Sequence, residues 1–296
     1  MNGKLLAAVR RRPVTSFFVL AYLLSWSWWV PIALAGGVVH GGDPWPTHMP
    51  GLLGPLLAAV TITAAVGGRA AVAEYVGRLW RWHGGWRTAV LAASPLAMLA
   101  VGLAGAALAG QPVPPWQDLF VISGLPSAAL PMLVGLIVLN GFGEEGGWRG
   151  FAQERLQTRY GPVRAALLTA VGWAVWHAPL FVILASFRGF DPAVLPGFFL
   201  GMLAGAVVLA YVYNAAGGGI AAAACWHVAY NLSSASAAAS GIIAAVATTV
   251  VILWAVVLLI AAYRDHRRNA PSPLLGGRGR PADSGSPTAE PAPQGG

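Results

Sequence analysis

GFGEEGGWRG, residues 141–150, sets two adjacent glutamates and an arginine at the edge of an apolar run. Charges are costly there, on the order of 2.5–3.5 kcal/mol for an acid at the centre of a lipid-crossing helix. The surrounding chain makes lipid the relevant solvent. Its 296 residues are 57% hydrophobic and 9% charged, against about 25% charged in soluble domains. A soluble fold of this length needs a polar surface that this composition cannot build. The chain therefore reads as all-α, a polytopic transmembrane helical bundle.

Hydropathy places spans at 15–38, 50–67, 88–110, 120–143, 163–185, 194–213, 218–237 and 241–262, each near the ~20 residues that cross ~30 Å of hydrocarbon. The first apolar run, Thr15–Val39, is longer than a signal-peptide core and is read as a retained span. With about eight crossings, both termini share a side. All but one of the 18 lysines and arginines then fall on that side, and Arg188 is the exception. By the positive-inside rule this is the cytoplasmic face of the cell membrane, and Arg149 belongs to the fourth-to-fifth connection on it. The formal charge of +8 is spread between spans rather than gathered into a patch, so it signals orientation and no nucleic-acid partner is expected. Tryptophans near span ends read as an interfacial belt, as do Tyr211 and Tyr213. Residues 69–86 alternate apolar and basic positions like a helix lying along the interface. Residues 1–266 form the membrane domain, with a motif core at 120–240. The segment 267–296 is expected to be a disordered cytoplasmic tail. A single cysteine, Cys225, excludes a disulfide framework.

Few ionisable groups lie within the spans: Glu144, Glu145, Arg149, His177 and His227, with Asn231 as a further polar side chain. Glu145 and Arg149 are four apart and share a helix face, whereas Glu144 lies about 100° round the helix. Arg149 would neutralise and orient one acid, leaving the other for chemistry. His227 and Asn231 are also four apart, on one face of the seventh span. His177 follows Trp173 by one turn, and Pro179 beyond it should disturb backbone pairing. Three helices thus offer Glu, His, and His plus Asn to one polar cavity. His40, His48, His83 and His266 read as solvated residues of loops, interface and tail.

Together, Glu144-Glu145-x-x-x-Arg149, Trp173-x-x-x-His177 and His227-x-x-x-Asn231 resemble the three motifs of the CAAX prenyl protease 2 and bacteriocin-processing (CPBP) intramembrane proteases. Trp173 departs from the Phe common at that position and is read as packing. The resemblance implies an intramembrane endopeptidase working near the cytoplasmic face. In that scheme Glu144, helped by His177, activates water, while His227 and Asn231 stabilise the oxyanion. Glu145 and Arg149 would support them. The implied substrate is a peptide or protein in the membrane, lipidated for some members. The family is often called metalloprotease, and Glu144, His177 and His227 are an acceptable Zn2+ set, although no HExxH strengthens that case. The residues themselves do not decide whether metal is used.

Two other classes remain open on the residues alone. A proton-coupled transporter could use Glu and His as a relay, although no repeated halves are visible. A bis-histidine haem site could use His177 and His227, but would leave Glu144 and Asn231 without a role.

Overall fold

A computed structural model describes residues 3–275. Behind a short helix, Gly3–Arg11, eight helical columns follow in the expected order. They are α1 (Pro13–Leu34), α2 (Met49–Trp80), α3 (Gly85–Leu108), α4 (residues 129–160), α5 (Pro162–Ile183), α6 (Pro192–Ala215), α7 (Ile220–Ser234) and α8 (Ile242–Arg267). Six of them are long and apolar enough to cross a membrane, and α4 and α7 are not. The all-α, multi-pass architecture follows from these columns. Among the described residues the only extended pairings are isolated bridges: Val39 with Leu184, Gly41 with Ser123, and Ile122 with Ser236.

The fourth column departs from the hydropathy reading. Residues 121–128 are not helical, because Gly124 takes a positive φ and Pro126 follows two residues later. The helix then continues to Tyr160. Glu144 therefore sits halfway along this column rather than at its inner end, and Arg149 lies inside the bundle rather than in a connection. Hydropathy missed this half because its surroundings are protein. Every residue from 143 to 153 is buried, as expected for a helix enclosed on all sides.

Glycine makes that enclosure possible. Gly143 and Gly147, and Gly146 and Gly150, each stand four apart, the small-xxx-small spacing that lets helix backbones approach. A Cβ on Gly147 would lie 2.7 Å from the carbonyl carbon of Pro55, and one on Gly143 would lie 2.9 Å from the carbonyl oxygen of Leu52. The start of α2 rests directly on α4. Farther along, α2 bends at Gly68 (φ 68°, ψ −161°), a conformation that suits glycine. Its second half is helical as expected but does not simply lie along the interface. Tyr75 is buried and donates to the Gly146 carbonyl at 2.8 Å, and Arg78 donates to the Gly150 carbonyl at 3.0 Å.

Several aromatic and histidine assignments also change. Trp29, Trp148, Trp176 and Trp226 are core residues, while Trp80, Trp86 and Trp116 are exposed. Tyr213 is buried, donating to Glu154 at 2.8 Å and accepting from Arg78 at 3.0 Å. His48 is buried, not solvated, and burial pushes its pKa down to about 3, so it is neutral. The expected tail begins with ordered contacts: Asn214 donates to the Pro273 carbonyl at 2.9 Å and Leu274 is 2% exposed. The remainder of that tail, 276–296, lies outside the described residues.

Two stability measurements test this packing. Gly147→Ala should cost about 1–3 kcal/mol, because the obstructing atoms are the ring Cβ and the carbonyl of Pro55, which cannot turn aside. Gly105→Ala, where a Cβ meets nothing within 4 Å, should be neutral or slightly stabilising. Truncation after Asn269, which removes Pro273 and Leu274, should destabilise the protein by up to the ~1.5–3 kcal/mol of a buried leucine.

Candidate functional site

Residues 140–149 of α4 supply both acids. Leu136–Phe142 and Trp148–Gln153 are wound as π-helix, on either side of the α-helical Gly143–Gly147. Such wide turns are rare and recur at functional sites. Both glutamates face protein, Glu144 at 2% exposure and Glu145 at 0%.

The two acids have different partners. Glu145 Oε1 accepts from Arg149 Nη1 at 3.1 Å and from His227 Nδ1 at 2.8 Å. The Arg149 pairing is the one the four-residue spacing predicted; the His227 contact was not anticipated. Glu144 receives no cation directly. Its Oε1 accepts from Asn140 Nδ2 at 3.2 Å and its Oε2 from the Trp173 indole N–H at 2.8 Å. The amide orientation of Asn140 follows, since a flip would set oxygen against oxygen.

Trp173 is a contact centre, not packing alone. Its ring lies edge-on to both imidazoles, 5.4 Å from His177 and 5.6 Å from His227, and the Arg149 guanidinium sits 5.3 Å from its centroid. Local backbone geometry aims His177. The helix of α5 stops at Trp176, turns through His177–Pro179 and resumes at Leu180. This is the disturbance expected of Pro179. His177 Nδ1 lies 2.8 Å from the Trp173 carbonyl. A carbonyl only accepts, so Nδ1 carries the proton and a neutral His177 presents an Nε2 lone pair.

His227 and Asn231 occupy one continuous helix, α7, a turn apart. His227 is buried against Glu145. Asn231 is half-buried, and its side chain has no hydrogen-bond partner among the described residues. The structure thus gathers Glu144, Glu145, Arg149, His177 and His227 around Trp173, with Asn231 on the adjoining turn.

The donor set does not fit the zinc expectation as it stands. Among the described residues no three His, Cys, Asp or Glu side chains are grouped to hold one metal ion. Trp173 makes ring contacts with both imidazoles and takes up Glu144 Oε2. Sequence reasoning overlooked Asn140 and the donor role of Trp173. The first was visible as a polar residue four before Glu144. The second needed the third dimension.

Comparison with known proteins covers the same stretch of chain. Residues 126–233, which include every side chain of the cluster, match the Rce1-like family, type II CAAX prenyl endopeptidases. A protein of Methanococcus maripaludis named CAAX prenyl protease 2 is 25% identical over 227 residues, covering 74% of this chain and 81% of the relative. The chain is thus similar, over this region, to the CPBP family of intramembrane endopeptidases.

Proposed function

We propose that Glu144 is the general base of a peptide hydrolysis carried out inside the helical bundle. The observation that carries this is the unequal treatment of the two acids. Glu145 is committed to Arg149 and His227. Glu144 accepts only from the neutral donors Asn140 and Trp173. A carboxylate has about four lone-pair sites, so two donors leave capacity to accept from a water. His177, neutral with its Nε2 lone pair available, can take the same water's second hydrogen. Attack on the peptide carbonyl transfers one proton to Glu144, which returns it to the departing amine.

The developing oxyanion falls to α7. His227 already donates through Nδ1 to Glu145, so donation through Nε2 requires the doubly protonated ring. Glu145 next to it stabilises that cation. Asn231, a turn away and otherwise unpartnered, supplies a second donor without moving a proton. No step is routed through a metal.

The substrate is a peptide bond of a membrane-embedded protein or peptide, and the name of the archaeal relative makes a prenylated C-terminal CAAX sequence the first to try. A transporter relay is less favoured, because a relay has no use for Trp173 and Asn140 holding one carboxylate still. The basic ends of the columns would face the cytoplasm, with both termini there. A reporter fused after Tyr160 should read as cytoplasmic, and an external signal would reverse the assignment.

The assay is cleavage of a quenched fluorescent peptide ending in farnesyl-cysteine and three further residues, with a peptide library in detergent alongside. Glu144→Gln should lower turnover by roughly 10²–10⁴ with the fold intact. A Glu144→Gln protein with normal turnover would remove the base. Asn231→Ala should lower kcat by roughly 10²–10³ and leave KM nearly unchanged. Glu145→Gln should act through stability, since removing one partner of a buried ion pair costs about 3–5 kcal/mol. A zinc role would show as loss of activity on chelation and recovery with added zinc.

A further inference from the structure

Asn140 and Trp173 take one oxygen each of Glu144, Asn140 from one turn earlier on α4 and Trp173 from α5. A carboxylate side chain has three rotatable bonds, and two donors from different helices remove that freedom. The neighbours of the pair show that this is more than general packing. Each donor is a neutral N–H, which stabilises the charged form of Glu144 without cancelling its charge as Arg149 does for Glu145. Trp173 also touches His177 and His227 through its ring, so one side chain sets the base relative to both imidazoles.

We propose that Asn140 and Trp173 form a two-donor clamp that positions the Glu144 carboxylate for catalysis, with neither residue touching the substrate. The proposal rests on Glu144 acting as the base. In the Trp173→Phe protein an aromatic ring still fills the site between the imidazoles and only the indole donor is lost. In Asn140→Ala the other donor is lost from within the same helix. A hydrogen bond to a charged group is worth roughly ten- to hundredfold in a rate that depends on it. Each variant should therefore lower kcat by that factor, leave KM nearly unchanged, and leave the melting temperature within a few degrees of the parent. The double variant should lose activity to near the level of Glu144→Gln.

The test pairs these kinetics, on the farnesylated quenched peptide, with an infrared measurement that needs no substrate. The Glu144 carboxylate stretch is assigned by difference against Glu144→Gln in the full-length protein. The clamp expects that band to shift in Trp173→Phe and in Asn140→Ala, because each variant frees one carboxylate oxygen. An unmoved band in both variants overturns the clamp, whatever the activity. A shifted band with unchanged kcat shows the contacts but overturns their catalytic role. If Glu144→Gln itself turns over normally, the base assignment fails and the clamp fails with it. That outcome is separable from an inactive Glu144→Gln alongside fully active Trp173→Phe and Asn140→Ala, which overturns the clamp alone.

Discussion

Glu145 Oε1 holds Arg149 at 3.1 Å and His227 at 2.8 Å, and these contacts tie the middle of α4 to α7 at a point where neither water nor lipid reaches. An isolated charge there is untenable, so the three groups stand or fall together. Once Glu145 is fixed, its neighbour Glu144 is turned toward α5, where Trp173 meets it. The remaining columns then serve to keep α4 enclosed. α2 lies against its glycines, and the core aromatics Phe17, Trp148 and Trp176 close in a linked group, with ring centroids 5.6 Å apart for the first pair and 5.5 Å for the second. The placement of Glu144 thus depends on a pairing in which Glu144 takes no part.

The helices divide into two populations by environment. α1 and α8 bury only 22% of their most apolar windows inside the protein and present the rest to lipid. α4 and α7, which carry the acids and His227, are the two columns that fall short by length or hydropathy. A polar helix is tolerable in a membrane only when other helices stand between it and the lipid. The polar cluster accordingly sits on columns that other helices enclose.

Much of this was legible from the residues. The all-helical, multi-pass architecture followed from hydropathy, and four-residue spacings foretold both the Glu145–Arg149 pair and the shared face of His227 and Asn231. Pro179 announced the break that aims His177. Errors arose where hydropathy stands in for burial. The second half of α4 looked like a connection because its glycines and charges are not lipophilic, yet residues 143–153 are buried without a break. Tyr213 looked like an interface anchor for a related reason, since an amphipathic ring suits a headgroup layer or a buried hydrogen bond equally well. Trp173 was misread because a donor is recognised only beside its acceptor. The match to Glu144 spans 29 residues of sequence.

GFGEEGGWRG serves two requirements at once, and they can be separated over evolutionary time. On the proposed reading its glutamates answer to chemistry, whereas Gly143 and Gly147 answer to the backbone of α2 at 2.9 and 2.7 Å from any added Cβ. A lineage that abandoned proteolysis and kept the fold for another purpose would be free to exchange Glu144 but not Gly147. Chains of this architecture with the glycine spacing intact and the first glutamate replaced would then be retired enzymes. Chains that lost the glycines would have had to rebuild the bundle.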